Sequence, residues 1–131
     1  MRLKAVMLGA LCLGSCHPLR VGIADISTQP ERWRGRDLIV QGLVVYEFEN
    51  LGIYASYADY CAHGPALYVE WDHVAGITRR DNRRMAVVAG ELDDRVGTND
   101  EVISTGKPGP GPLKRPRLVR WLSEPLPPCA G

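Results

Sequence analysis

Cysteine and histidine side chains near the middle of the chain are the first candidates for chemistry. Cys61 and His63 are separated by one residue, His73 follows, and Asp59 and Asp72 lie beside them. A thiolate close to imidazole groups could ligate a metal or act as a nucleophile. Structural zinc sites normally present two close ligand pairs, and nothing here marks an oxyanion hole or a third orienting group. We therefore expect no metal, no cofactor and no catalytic site. An enzyme or metal-dependent protein built on Cys61, His63 and His73 is the alternative.

Another cysteine, Cys16, ends an N-terminal segment with a distinct pattern. Arg2 and Lys4 come first, ten residues without a charge follow, and Ser15 then precedes the cysteine. A helix across a bilayer needs about 20 predominantly apolar residues, so this segment is too short to span a membrane. A cationic start, a short apolar stretch and small residues before a cleavage point are typical of a secretion signal.

Residues 13–16, Leu-Gly-Ser-Cys, resemble the box of bacterial lipoproteins, which is cut directly before the cysteine. The resemblance implies a signal peptide at residues 1–15, lipidation of Cys16 and attachment to a membrane through that lipid. His17 after the cysteine, in place of Asp, favours the outer membrane of a bacterial cell envelope, facing the periplasm. An ordinary signal peptide without lipid and a buried first strand are the alternatives.

Length and charge restrict the class of the exported domain. Removal of residues 1–15 from the 131-residue chain leaves 116 residues, which suits one small domain. Arg2 and Lys4 leave with the signal, so 14 of the 16 basic residues remain against 15 acidic ones. Nucleic-acid binders usually carry a basic surplus, so we expect no nucleic-acid partner, and an exported nucleic-acid-binding protein is a further alternative. The basic run at residues 79–84 is broken by Asp and Asn, which favours a solvated turn over contact with anionic lipid.

Two further cysteines predict a disulfide. Cys12 would leave with the signal and Cys16 would carry lipid, so Cys61 and Cys129 remain as an even pair in an oxidising compartment. A bridge between them would tie the C-terminal tail to the body of the domain. The alternative is a pair of free thiols.

Apolar and β-branched segments predict the elements that position these residues. The predicted strands are residues 38–48, 53–56, 66–71, 84–92 and 118–122. Gly42 and Gly90 interrupt two of them and indicate bulges or sharp bends. We expect single helical turns near residues 27–33 and 57–64. A long proline- and glycine-rich connection is expected over residues 93–116.

Five strands, with a long and glycine-kinked first strand, resemble an OB-fold barrel. Residues 29–42 read Gln-Pro-Glu-Arg-Trp-Arg-Gly-Arg-Asp-Leu-Ile-Val-Gln-Gly. They resemble the pattern Pro-Glu-x-aromatic-x-Gly-Lys-x-Val-x-Val-x-Gly of small exported bacterial OB-fold proteins, with Arg36 in place of the usual Lys. The resemblance implies an all-β, five-stranded OB-like barrel with one or two short helical turns. Another small β-barrel or a β-sandwich is the competing fold. The expected divisions are a lipidated tether at 16–25, the domain at 26–123 and a tail at 124–131.

Aromatic side chains of the second and third predicted strands suggest a place for a ligand. An OB fold usually binds ligands on this face, where exposed rings could stack on sugars or bases. The candidate binding residues are Tyr54, Tyr57, Tyr68 and Trp71. Core packing is the competing explanation. We expect a non-catalytic, membrane-anchored binding module of the bacterial envelope, whose partner is an envelope protein or a small ligand.

Overall fold

The computed structural model describes residues 17–93 and 109–130 and has a mostly β architecture, as predicted. The signal segment, Cys12, Cys16 and most of the proline- and glycine-rich connection lie outside the described residues. The strands are β1 (Leu19–Arg20), β2 (Asp37–Glu47), β3 (Asn50–Tyr54), β4 (Ala66–Tyr68), β5 (Arg84–Leu92) and β6 (Leu113–Trp121). The helices are α1 (Ile23–Thr28), α2 (Pro30–Trp33) and α3 (Tyr57–Cys61), and a single 3-10 turn covers Arg79–Asp81.

The strands form one six-stranded sheet in the order β4-β3-β2-β5-β6, with every neighbour on this path antiparallel. Strand β1 pairs in parallel with the beginning of β2. The sheet is not closed into a barrel by strand pairing. Among the described residues, a backbone hydrogen bond joins its two ends: the Tyr68 amide of β4 donates to the Pro110 carbonyl at 2.8 Å, just before β6.

Strand β2 is the central strand of the sheet. Along one of its two edges, the pairing partner changes at Gly42. On one side of this glycine β2 pairs with β1, and on the other side with β3, starting at the Leu43–Tyr54 pair. Pairing with β5 runs past Gly42 without a register shift, so the predicted bulge is absent from β2. A Cβ atom at Gly42 would instead lie 2.2 Å from the Tyr54 carbonyl oxygen. The glycine allows a close approach of two backbones.

We expect Gly42→Ala to destabilise the protein by about 1–3 kcal/mol, as overpacked sites do. The contact atom is a backbone oxygen, which cannot rotate away as a side chain would. Gly22→Ala is the matched control, since its nearest contact is the flexible Asp25 carboxylate at 3.3 Å. Urea unfolding of both variants checks the prediction, and equal stabilities for the two would contradict it.

The main core lies on one side of the sheet, which we call the inner face. Alternate residues of β2 point into it, among them Leu38, Val40 and Val44, as the two-residue period of a strand requires. Helix α1 covers this side through Ile23 and Ile26, which are fully or almost fully buried. The expected tether at residues 16–25 therefore needs correction, because β1 and the start of α1 belong to the folded unit.

Three predicted segments differ from the observed elements. Residues 50–52, which separate the predicted strands 38–48 and 53–56, are part of β3, and the hairpin turns at Phe48 and Glu49, where Glu49 has a φ of 61°. Strand β4 is only three residues long. Strand β6 begins at Leu113, inside the expected loop, because Pro116 lies in an edge strand that tolerates a missing amide donor.

Candidate functional site

The predicted aromatic face is mostly buried. Trp71 has no exposed surface, and its indole N–H donates to the Val45 carbonyl at 2.8 Å and to the Gly52 carbonyl at 3.1 Å. Tyr54 and Tyr68 are 5% and 7% exposed. Only Tyr57 of the four is half-buried. The exposed stacking surface expected from these residues is not present in this arrangement, and core packing accounts for three of them.

The alternative catalytic or metal-binding group is dispersed. The structure places Cys61 in a disulfide with Cys129, so its sulfur is neither a thiolate ligand nor a nucleophile in this state. His63 and His73 are exposed and occupy loop positions with φ of 56° and 72°. Within residues 17–93 and 109–130, no three His, Cys, Asp or Glu side chains are grouped to hold a metal ion.

The disulfide fastens a C-terminal strap, residues 123–130, across the outer face of the sheet, which is the face opposite the main core. The Leu126 amide donates to the Arg83 carbonyl at 2.7 Å, and Arg83 Nε donates back to the Leu126 carbonyl at 2.9 Å. The Tyr57 hydroxyl donates to the Pro127 carbonyl at 2.9 Å. The Leu126 side chain packs on a small apolar cluster, whose buried members are Leu43, Val45, Tyr54 and Ala66. The strap and α3 thus cover one half of the outer face.

A polar group lies beside this cluster under α3. The Tyr60 hydroxyl donates to the Glu47 carboxylate at 2.6 Å, and Asn82 Nδ2 donates to the same oxygen at 3.0 Å. Arg83 pairs with that oxygen at 3.5 Å. Glu47 is therefore contacted by three donors from two other segments, and the group connects β2 to α3 and to the turn before β5. Its carboxylate already accepts hydrogen bonds from Tyr60 and Asn82, so it is poorly placed to act as a general base.

Burial and the Glu47 carboxylate together raise the pKa of Tyr60 to about 12. Burial, followed by a hydrogen bond to Glu70, also raises the pKa of Tyr68 to about 12. In each case the folded state holds its proton more tightly than an unfolded tyrosine, whose pKa is about 10. Stability from this source is therefore complete below pH 10 and is lost as the pH rises to about 12.

We expect Tyr60→Phe to make the alkaline loss of stability shallower, because the phenyl ring has no proton to release. Below pH 10 the variant should be less stable by about 1 kcal/mol, the usual contribution of one hydrogen bond. Urea unfolding of wild type and variant at a series of alkaline pH values measures both effects. Parallel stability curves over the whole alkaline range would contradict the role assigned to Tyr60.

The other half of the outer face lies away from the strap and carries cations along an apolar strip, in which Ile39 is half-buried and Val87 and Ala89 are 1% and 2% exposed. Ile39 of β2 is paired on one side with Arg20 of β1 and on the other with Ala89 of β5. Ala89 is in turn paired with Arg117 of β6. Because directly opposite residues project to the same face, these four side chains form one row across four strands. The neighbouring row consists of Gln41, Val87 and Arg120.

Two irregularities in β6 bring its cations to this face. The register shifts opposite Gly90 and again between Val87 and Val88. As a result the residues paired with the outer row of β5 are Lys114, Arg117 and Arg120, which are three apart and not two apart. In a regular strand, side chains three residues apart project to opposite faces, so Arg117 would point away from Lys114 and Arg120. Arg115, at the first irregularity, has a φ of 48°.

A shallow concave surface of about 240 Å³ lies on this half of the outer face. Its lining includes Arg20, Val21, Gly22, Ile39, Gln41 and Val87. Arg20, Arg117 and Arg120 are exposed and make no ion pair with another residue in the described part of the chain. Lys114 and Arg115 both pair with Glu91, at 3.9 Å for Lys114. We call the surface formed by Arg20, Ile39, Gln41, Val87, Ala89, Arg117 and Arg120 the cationic face.

The cationic face was missed by the sequence analysis. The charges are far apart in the sequence, and the basic residues of β6 show neither a two-residue nor a helical period. The combination of Pro116 with Gly90 was the available signal, since both are typical of irregular strand pairing. Among the described residues, every buried side-chain nitrogen and oxygen has a hydrogen-bond partner, so no buried polar atom there is left waiting for a ligand.

No helix in the described part of the chain is both long and apolar enough to cross a membrane. No protein-family model matches the chain, and neither a curated protein nor a solved structure is significantly similar to it.

Proposed function

We propose that this protein is a lipid-anchored, non-catalytic binding module of the bacterial cell envelope. The observation that carries the proposal is the N-terminal pattern, in which a cationic start and a short apolar segment end in Leu-Gly-Ser-Cys at residues 13–16. The position of the domain agrees with it, because β1 begins only three residues after Cys16. The disulfide pair agrees with it as well, since such bonds persist in oxidising compartments.

We further propose that the domain is an OB-like barrel that is completed by backbone contact and not by a full strand pair. The pairing order supports this. When the two-residue β1 is left aside, β2 is the first strand and lies between β3 and β5, the second and fourth strands, as in that fold. Gly109 also supports it, because a Cβ there would lie 1.8 Å from the Ala66 carbonyl oxygen, so the chain before β6 lies against β4. The binding surface we favour is the cationic face and its concave surface, in place of the buried aromatic residues.

Fractionation of bacteria that express the full chain tests the anchor. Wild-type protein is expected in the membrane fraction and should be released by detergent but not by concentrated salt. Cys16→Ala is expected to lose lipidation and the salt-resistant attachment. Cys61→Ala is the matched control, since it also removes one cysteine but leaves the lipid site. Wild-type protein that is free of lipid, or that is released by salt alone, would overturn the proposal.

A further inference from the structure

We propose that the cationic face rests on the anionic head groups of the membrane that holds Cys16. This inference depends on the proposed anchor and adds a partner and an orientation to it. The partner is a lipid surface with negative charge, and the side of the domain that contacts it is the half of the outer face between β1 and β6.

The half of the outer face between β1 and β6 is exposed at Arg20, Gln41, Arg117 and Arg120 and partly exposed at Ile39, whereas Val87 and Ala89 are buried. On β2, the outer-face residues Leu43 and Val45 lie in the cluster that packs against Leu126 of the strap. Ile39 and Gln41, on the same face of the same strand, line the concave surface instead. The strap therefore packs on the half of the outer face next to β3, and Ile39 and Gln41 belong to the other half.

The second observation is the charge on this half-face. Three exposed arginines, Arg20, Arg117 and Arg120, form no ion pair with any residue of 17–93 or 109–130. They border an apolar strip of Ile39, Val87 and Ala89, of which only Ile39 is partly exposed. The strip is about 14 Å wide, because strands β1 and β6 are three strand spacings apart. Strand pairing places two carboxylates of the described strands on this half-face, Glu91, which pairs with Lys114 and Arg115, and the exposed Asp37. The Asp25 carboxylate lies beside Gly22 at the edge of the concave surface. The face is therefore cationic although the whole mature chain is close to neutral.

The third observation is the length of the tether. Only His17 and Pro18 separate Cys16 from β1, so the chain can move β1 no further than about 10 Å from the anchored residue. Arg20 belongs both to β1 and to the cationic face. A lipid on Cys16 thus holds the domain with this edge near the head groups. An arginine near an anionic surface gains about fivefold in the equilibrium for contact, and this gain falls off within a Debye length.

The experiment measures which arginines the membrane protects. Full-length chain is expressed in a bacterium, purified from membranes in detergent and reconstituted in two kinds of vesicle. One contains phosphatidylcholine alone, and the other contains phosphatidylcholine with phosphatidylglycerol at about one lipid in three. Vesicles are floated to measure anchoring. They are then treated with an arginine-selective dicarbonyl reagent, and modification is quantified by mass spectrometry. Arg80 is the internal control, because it is exposed and lies in the 3-10 turn, off the cationic face.

We expect the protein to float with both kinds of vesicle. With phosphatidylglycerol, modification of Arg20, Arg117 and Arg120 should be at least about fivefold slower than with phosphatidylcholine alone, while Arg80 reacts equally in both. Sodium chloride at about 1 M should abolish the protection without releasing the protein, because the screening length is then about 3 Å. In an R117Q/R120Q variant, protection of Arg20 should weaken, and an R80Q variant should retain it.

The outcomes separate the anchor from the docking. Flotation with both vesicles, combined with equal modification of the three arginines, would overturn docking and leave the anchor intact. Failure to float with phosphatidylcholine vesicles would overturn the anchor, on which docking depends. Protection by single-stranded DNA or by a polyglutamate chain, with none from anionic vesicles, would overturn docking in favour of a macromolecular partner.

Discussion

Replacement of Cys61 and Cys129 together by serine is expected to lower the free energy of unfolding by about 4 kcal/mol. The bridge joins residues 68 positions apart, and closing a loop of that length removes entropy of this magnitude from the unfolded chain. This loss includes part of the free energy from the contacts of the strap, because the packing of Leu126 and the Tyr57–Pro127 hydrogen bond depend on the position of the tail. Urea unfolding of the purified proteins without reductant measures the difference.

Tyr57→Phe is the matched control for the disulfide. It removes one hydrogen bond to the strap and keeps the bridge, so we expect it to cost only about 1 kcal/mol. Dithiothreitol should bring wild-type protein to the stability of the double serine variant and leave that variant unchanged. A double variant as stable as the unreduced wild type would show that the bridge does not form or does not restrict the unfolded chain.

Trp71→Ala is expected to lower the free energy of unfolding by about 3–5 kcal/mol, the usual cost of deleting a large buried ring. The side chain is fully buried in the main core, and its indole N–H satisfies the Val45 and Gly52 carbonyls. Those two carbonyl groups would lose this donor in the variant. The prediction discriminates between a core residue and the ligand-stacking residue expected from the sequence, because an exposed stacking residue contributes little to folding.

Trp121→Ala provides the comparison for Trp71→Ala. Trp121 is half-buried on the edge strand β6, where the Arg84 guanidinium lies 4.3 Å from its ring centroid. We expect a loss of about 1–2 kcal/mol, since only part of its apolar surface is buried. Wild-type stability in the Trp71 variant, or a larger loss in the Trp121 variant, would contradict the assignment of Trp71 to the core.

Local sequence patterns predicted a strand well where its apolar residues form one continuous run. The β-branched run at residues 38–48 corresponds to β2, and the apolar run at 84–92 corresponds to β5. The Cys61–Cys129 pair also followed from composition and compartment. These features depend on residue type and on neighbours in the sequence, which a single chain displays directly.

Other features depend on contacts between distant segments and could not be read in the same way. Gly42 was expected to mark a bulge or a sharp bend, but the structure requires a glycine there because the Tyr54 carbonyl approaches it closely. The irregular pairing is on β6, opposite Gly90, where it brings Lys114, Arg117 and Arg120 to one face. Neither fact is visible until the pairing partners are known.

The aromatic residues show why composition alone misplaces a binding surface. Tyr54, Tyr68 and Trp71 have polar tips that suit either a ligand or an internal hydrogen bond. In the fold, Tyr54 donates to Asn50 at 3.0 Å and Tyr68 to Glu70 at 2.5 Å. Their polar atoms are satisfied within the domain. The cationic face, by contrast, carries three exposed arginines that form no ion pair among the described residues, and a concave surface lies beside Arg20.

The most direct test of the central claim is the intact mass of the protein extracted from bacterial membranes and purified without reductant. We predict a chain that begins at Cys16, carries the added mass of acyl chains and is lighter by two hydrogens because Cys61 and Cys129 are bonded. Treatment with reductant should add back those two hydrogens. A chain of 14.4 kDa that still begins at Met1, or one that begins at Cys16 without added lipid, would contradict the claim that this domain is anchored to the envelope by a lipid.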